Sequence, residues 1–154
     1  MEFILNGNNV SYSGSLSARL LDVLRDEFKC TGVKCSCKEG ECGACSVILD
    51  GKLVNSCLVA MGFVEGSSVT TIEGYSKTKK FNALEKAFGE ASAVQCGFCI
   101  PGMILASECL LSQNPHPTEE EIRIGISGNL CRCTGYNAIA RAISTAAKEG
   151  EGLW

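Results

Sequence analysis

Cysteine constrains this chain more than any other residue type. Eleven of the 154 residues are cysteines, and eight of them fall into two tightly spaced groups: Cys37, Cys42, Cys45 and Cys57, then Cys96, Cys99, Cys131 and Cys133. A disulfide framework accounts poorly for them. The total is odd, which leaves a thiol over in any all-disulfide scheme. Residues 1–7 also lack the basic region and apolar core of a secretory signal, so the default expectation is a cytoplasmic protein. Disulfides do not persist in a reducing compartment, and clustered thiols there read as metal ligands.

The first group has four residues, then two, between its leading cysteines, with Cys57 following after an Asp50-Gly51 turn. This C-x4-C-x2-C…C order is the plant-type [2Fe–2S] pattern. Four thiolates must converge on a two-iron unit that carries substantial negative charge. Gly40 and Gly43 let the backbone wrap closely, so that amides can point at the sulfurs and disperse that charge.

The second group pairs Cys96-Gly97-Phe98-Cys99 with Cys131-Arg132-Cys133. Helical residues two apart do not face each other, so Cys131 and Cys133 belong on a non-helical stretch. Gly128 before them and Thr134-Gly135 after them agree with a loop. Each pair precedes an expected helix, one opening at Pro101 and one near Tyr136, so a bound anion would face two helix N-termini. A four-thiolate zinc site fits this second group taken alone. A [4Fe–4S] centre would show C-x2-C-x2-C-x3-C-P, which is absent, and a Rieske centre needs two histidines where the chain has only His116.

Cys109 reads as a core residue of a helix. Cys30 and Cys35, which flank the first group, read as small, partly buried hydrophobes. His116 lies between Pro115 and Pro117 and is expected to be a solvated loop residue. Trp154 reads as part of a frayed tail.

Around these groups the chain changes character. Residues 2–6 and 9–13 look like strands around a Gly7-Asn8 turn, and 45–49 and 52–55 like strands around Asp50-Gly51. Residues 68–72 make a further strand. Leu16, Leu20, Leu24 and Phe28 recur every four residues, as one face of an amphipathic helix does. Beyond a polar link at 73–80, strand signals vanish and helices are expected at 82–90, 101–113, 118–126 and 136–148. Thr118 and Glu121 form a capping box. The expectation is an α+β chain of two domains, 1–76 and 77–154. With 45% hydrophobic and 20% charged residues, it can bury a core. A net charge of −3, with scattered Lys and Arg, gives no field for nucleic acid, and no stretch is long and apolar enough for membrane insertion.

The two motifs taken in order, Cys37 to Cys45 with Cys57, then Gln95-Cys96-Gly97-Phe98-Cys99 and Gly128-Asn129-Leu130-Cys131-Arg132-Cys133-Thr134-Gly135-Tyr136, resemble the small iron–sulfur subunit of the molybdenum hydroxylases. That family includes xanthine dehydrogenase, aldehyde oxidoreductase and carbon monoxide dehydrogenase. The resemblance implies an N-terminal ferredoxin-like β-grasp domain followed by a C-terminal four-helix bundle, each holding one [2Fe–2S] cluster. It implies a large molybdopterin-binding subunit as partner, and an FAD subunit. Electrons would run from molybdenum through the C-terminal cluster and then the N-terminal one. Gln95 and Cys133 would touch the pterin. Two positions depart from the family pattern: Cys35-Ser36 stand where Leu-Gly is usual, and Ile100 where threonine is common. Isoleucine offers no oxygen to cap the helix opening at Pro101.

The expected role is therefore electron transfer within an oxidoreductase complex, with no substrate chemistry on this chain alone. A free two-cluster ferredoxin and a zinc-stabilised interaction module are the alternatives. By the same resemblance, the hydroxylating site, which selects among purine, nicotinate, aldehyde and carbon monoxide, lies on another chain.

Overall fold

The computed structural model describes residues 1–154. The chain begins with a hairpin, β1 (Glu2–Leu5) and β2 (Asn8–Ser11). Its turn falls one residue earlier than expected. Asn6 and Gly7 are the left-handed pair, at φ 53° and 82°, as a type I′ turn requires. The second hairpin, β3 (Ser46–Leu49) and β4 (Lys52–Asn55), turns as expected on Asp50 and Gly51, both left-handed. With β5 (Ser68–Thr70) these strands form one five-stranded sheet in the order β2-β1-β5-β3-β4. The β1–β5 pair is parallel, and the other pairs are antiparallel.

Helix α1 (Leu20–Asp26) is shorter than the four-residue leucine spacing suggests. Arg19 is extended and bridges to Ala60, while the Leu16 carbonyl accepts the Gly62 N–H at 2.8 Å. This tertiary pairing replaces the helical turn that would have carried Leu16. Leu16 stays 60% exposed, whereas Leu20 and Leu24 are fully buried. Burial of a leucine is worth about 1.5–3 kcal/mol, so the stripe that matters starts at Leu20.

Two further corrections fall between the end of the strand expected at 68–72 and the end of the polar link expected at 73–80. That stretch contains a one-turn helix, α2 (Ile72–Tyr75), and the start of α3 (Lys79–Glu90). The Thr71 N–H is taken by Asn6 Oδ1 at 2.8 Å, and the Thr71 carbonyl accepts from Gly74 and Tyr75. A single turn held this way leaves no 3.6-residue periodicity to read. Thr78 caps α3 by accepting the Phe81 N–H at 3.1 Å. The remaining helices are α4 (Ile100–Gln113), α5 (Glu119–Gly125) and α6 (Asn137–Glu149). None is long and apolar enough to cross a membrane. The capping box is formed: Glu121 N–H donates to Thr118 Oγ1 at 3.3 Å, and Thr118 N–H donates to Glu121 Oε2 at 2.7 Å.

Strand alternation makes the sheet a partition between two cores. Val47 and Val69 point with Phe3, Leu5 and the leucines of α1 into one. Ile48 and Leu53 point the other way, against a core built from Tyr75 and helices α3 to α6. Helix α4 packs on the back of β3 and β4 and contacts α2, α3 and α5. The C-terminus is anchored rather than frayed. Trp154 Nε1 donates to Glu108 Oε2 at 2.8 Å, and Lys80 Nζ sits 5.9 Å from the indole centroid. His116 is exposed in its loop, as expected.

Candidate metal centres

Cys37, Cys42 and Cys45 of the first cysteine group occupy the loop between α1 and β3. Lys38, Gly40 and Gly43 are all left-handed there, which curls the backbone around the sulfurs. Glu39 N–H points at Cys37 Sγ, 3.4 Å away. The amides of Glu39, Cys42 and Glu41, in which Glu39 comes first, pull the Cys37 thiol down to about 6. Asn55 Nδ2 donates to the Gly40 carbonyl at 2.7 Å and fastens this loop to β4. Cys45 leads into β3, and Cys57 lies in the 3₁₀ turn Ser56–Leu58, with Ser56 Oγ donating to the Cys45 carbonyl at 2.7 Å. Both thiols are buried. Burial first, then the neighbouring Cys45 sulfur, pushes Cys57 up to about 11.

Cys99 is the N-cap residue of α4, so Ile100 is the first helical residue and not the capping position expected from the sequence. Cys131 and Cys133 sit in the irregular stretch before α6, as their spacing demanded. The Cys133 and Cys96 sulfurs are 3.6 Å apart and exposed. Burial, then the Cys131 sulfur, pushes Cys99 up to about 12. At Cys131 burial is outweighed by the Thr134 hydroxyl, 3.1 Å from the sulfur, and by nearby amides, so this thiol is lowered. Cys131 N–H donates to Tyr136 Oη at 3.0 Å, which holds the loop against the start of α6.

The sulfurs stand in pairs: Cys37 with Cys42, Cys45 with Cys57, Cys96 with Cys133, and Cys99 with Cys131. Paired thiolates suit a two-iron centre, in which each iron takes two, better than one tetrahedral zinc. The raised thiols of Cys57 and Cys99 reflect burial beside another sulfur, a situation that bound cations reverse. The donor set therefore fits the clusters that the spacing called for.

The two groups adjoin. A cavity of about 280 Å³ is lined by Cys96, Cys99, Cys131 and Cys133 and also by Cys42 of the first group. Leu130 N–H donates to the Cys42 carbonyl at 2.9 Å, and Asn129 Nδ2 to the Gly43 carbonyl at 2.9 Å. Sequence reasoning missed this junction, although Asn129 and Leu130 stand inside the quoted motif. A larger surface groove, about 470 Å³, runs along α5 past Glu119 and Arg123 and holds no cysteine. Gln95 is exposed immediately before Cys96, at the rim of the second group. Cys30 is buried in the sheet core and Cys35 packs half-buried against it. Cys109 is half-buried on α4 near the Leu53 amide and pushed up to about 11 by burial.

Residues 3–68 match the 2Fe-2S iron-sulfur cluster binding domain family, and residues 71–144 match the [2Fe-2S] binding domain family. The nicotinate dehydrogenase small FeS subunit of Eubacterium barkeri is 49% identical over 142 residues, covering 92% of this chain and 90% of that one. The xanthine dehydrogenase iron-sulfur-binding subunit of Escherichia coli is 39% identical over 145 residues, covering 93% and 91%. Among solved structures, the aldehyde oxidoreductase of Desulfovibrio gigas superposes with a TM-score of 0.90 at 39% identity. It covers all of this chain and 18% of its own. The ordered motifs, the paired sulfurs and these likenesses agree, and the chain belongs to the family of small two-cluster [2Fe–2S] iron–sulfur subunits of the molybdenum hydroxylases.

Proposed function

We propose that this chain carries electrons from a molybdopterin centre on a large partner subunit to FAD on a further subunit or to an external acceptor. The observation that carries the reading is the adjacency of two four-cysteine sites whose sulfurs come in pairs. Cys37, Cys42, Cys45 and Cys57 hold one centre, and Cys96, Cys99, Cys131 and Cys133 hold the other. A [2Fe–2S] centre, when bound, accepts and releases one electron at a time. The chain's own residues do the rest. Backbone amides around Cys37 favour the anionic sulfur, and Cys99 and Tyr136 place the second site at the starts of α4 and α6, where the helix dipoles favour negative charge. The Leu130–Cys42 hydrogen bond brings the backbones of the two sites into direct contact.

The exposed Gln95 and Cys133 form the pterin-facing contact in this reading, which their position at the rim of the second site supports. The partner assignment is supported by the aldehyde oxidoreductase chain, of which this fold is only an 18% segment. The N-terminal half is a ferredoxin-like β-grasp domain and the C-terminal half a four-helix bundle of α3 to α6, divided at residue 76. The two cores support a division close to that residue: the buried residues of one end at Val69 and those of the other begin at Tyr75, with Ile48 and Leu53 of the sheet packed against the second. A cytoplasmic setting is supported by the grouping of eight cysteines into metal-ligand sets, which thiols kept reduced allow. Substrate selection belongs to the large subunit.

The test is the assembled complex carrying Gln95→Ala. Reduction of the second centre by substrate should slow while both iron–sulfur signals persist. Unchanged reduction would remove Gln95 from the interface, and failure of the chain to co-purify with a molybdopterin subunit would favour a free two-cluster ferredoxin.

A further inference from the structure

The geometry points to Asn129 as the positioning residue that sets the separation of the two cysteine sites, and through it the rate of electron passage between them; this rests on the electron-transfer reading above. Asn129 is a polar residue only 3% exposed. Its Nδ2 donates to the Gly43 carbonyl at 2.9 Å and lies 3.2 Å from Ser46 Oγ. Both acceptors belong to the first site, 86 and 83 residues away along the chain. Its own N–H is used within its loop, on the Ile126 carbonyl at 2.9 Å. The side chain is therefore committed across the junction, while the backbone holds its own side.

Asn129 works beside a second bond. The adjacent Leu130 N–H reaches the Cys42 carbonyl, so neighbouring residues on one loop grip neighbouring residues, Cys42 and Gly43, on the other. Cys42 is a ligand of the first site, and Cys131, next after Leu130, is a ligand of the second. Two attachment points fix both distance and angle, where a single bond would act as a pivot.

The surroundings are cleared to allow this approach. Gly43 is left-handed at φ 68°, and a Cβ there would run into the Gly128 carbonyl and lie 2.7 Å from Asn129 Nδ2. A Cβ on Gly102 of α4 would lie 2.6 Å from the Gly43 carbonyl and 2.8 Å from Asn129 Nδ2. Any side chain at either glycine would force the loops apart. Leaving the Asn129 amide without partners in so buried a place is also unfavourable, so the closed arrangement is the one selected.

The experiment compares the cluster-loaded wild type with Asn129→Leu, which keeps comparable bulk and removes both donors, and with Gly102→Ala, which inserts a methyl wedge. Iron and sulfide content, the magnetic splitting between the two reduced centres, and the rate of electron equilibration between them are measured on each. Both variants should retain their iron, show a narrowed splitting and equilibrate severalfold more slowly. Unchanged splitting and rate in an iron-replete variant overturn the proposal. If Asn129→Leu loses a centre, Gly102→Ala decides by the same readout, and loss of a centre in both variants overturns it, because the junction would then retain clusters and not space them. A wild type lacking two iron–sulfur signals would instead defeat the electron-transfer reading itself.

Discussion

The Leu130 N–H donates to the Cys42 carbonyl at 2.9 Å, so residues 88 positions apart in the chain join the two cysteine sites by their backbones. The Leu130 side chain takes no part in the bond and is 56% exposed. Leu130→Ala should therefore change unfolding free energy by no more than about 0.5 kcal/mol and leave electron exchange between the sites intact. Leu130→Pro removes the donor and should slow that exchange. Equal exchange rates in the two variants, measured after a one-electron pulse, would show that this bond carries no coupling.

The partition of ligands gives a second prediction. Cys45 is buried at the foot of β3, and Cys96 is exposed ahead of α4. Cys45→Ser should abolish one of the two electron paramagnetic resonance signals and spare the other. Cys96→Ser should do the reverse, and it should also loosen the helical half, because metal binding there is coupled to folding. Loss of both signals in each variant would mean that the ligands are wrongly divided.

Glu108 supplies a third. Its carboxylate accepts from Tyr75 Oη at 2.6 Å, Ser112 Oγ at 2.7 Å, Trp154 Nε1 at 2.8 Å and Lys80 Nζ at 3.0 Å. Burial opposes its charge, but these four donors prevail and hold its pKa below the ordinary 4.5. Folding therefore favours the ionised form. The stabilisation is complete above the ordinary value and is lost as pH falls from 4.5 through the lower folded value. Glu108→Ala leaves the buried Tyr75 hydroxyl unpartnered and should cost about 2–3 kcal/mol near neutral pH. That corresponds to a melting temperature lower by about 5–10 °C for a chain of this size. The gap from wild type should shrink as pH is lowered below 4.5, and a constant gap would assign Glu108 a packing role alone.

Features whose partners lie nearby were legible in the sequence. The Thr118–Glu121 capping box joins residues three positions apart and the Asp50-Gly51 turn adjacent ones, and both formed as expected. The loop character of Cys131 and Cys133 followed from spacing alone. What escaped depends on partners far along the chain. Arg19 is drawn out of the expected helix by Ala60, and Thr71 is claimed by Asn6 before the one-turn helix begins. Trp154 finds Glu108 46 residues away, and Asn129 finds Gly43 86 residues away. Periodicity describes the face a segment buries and says nothing of such single long-range bonds. The cysteine runs Cys37 to Cys45, Cys96 to Cys99 and Cys131 to Cys133 were legible because each is local, whereas the meeting of Cys99 with Cys131 is another long-range contact.

Iron and acid-labile sulfide analysis, with low-temperature electron paramagnetic resonance of the reduced protein, tests the central claim most directly. Eight paired thiolates predict about four irons and four sulfides per chain and two distinct signals integrating together to about two spins. Stoichiometric zinc, or a single signal integrating to about one spin, would contradict it.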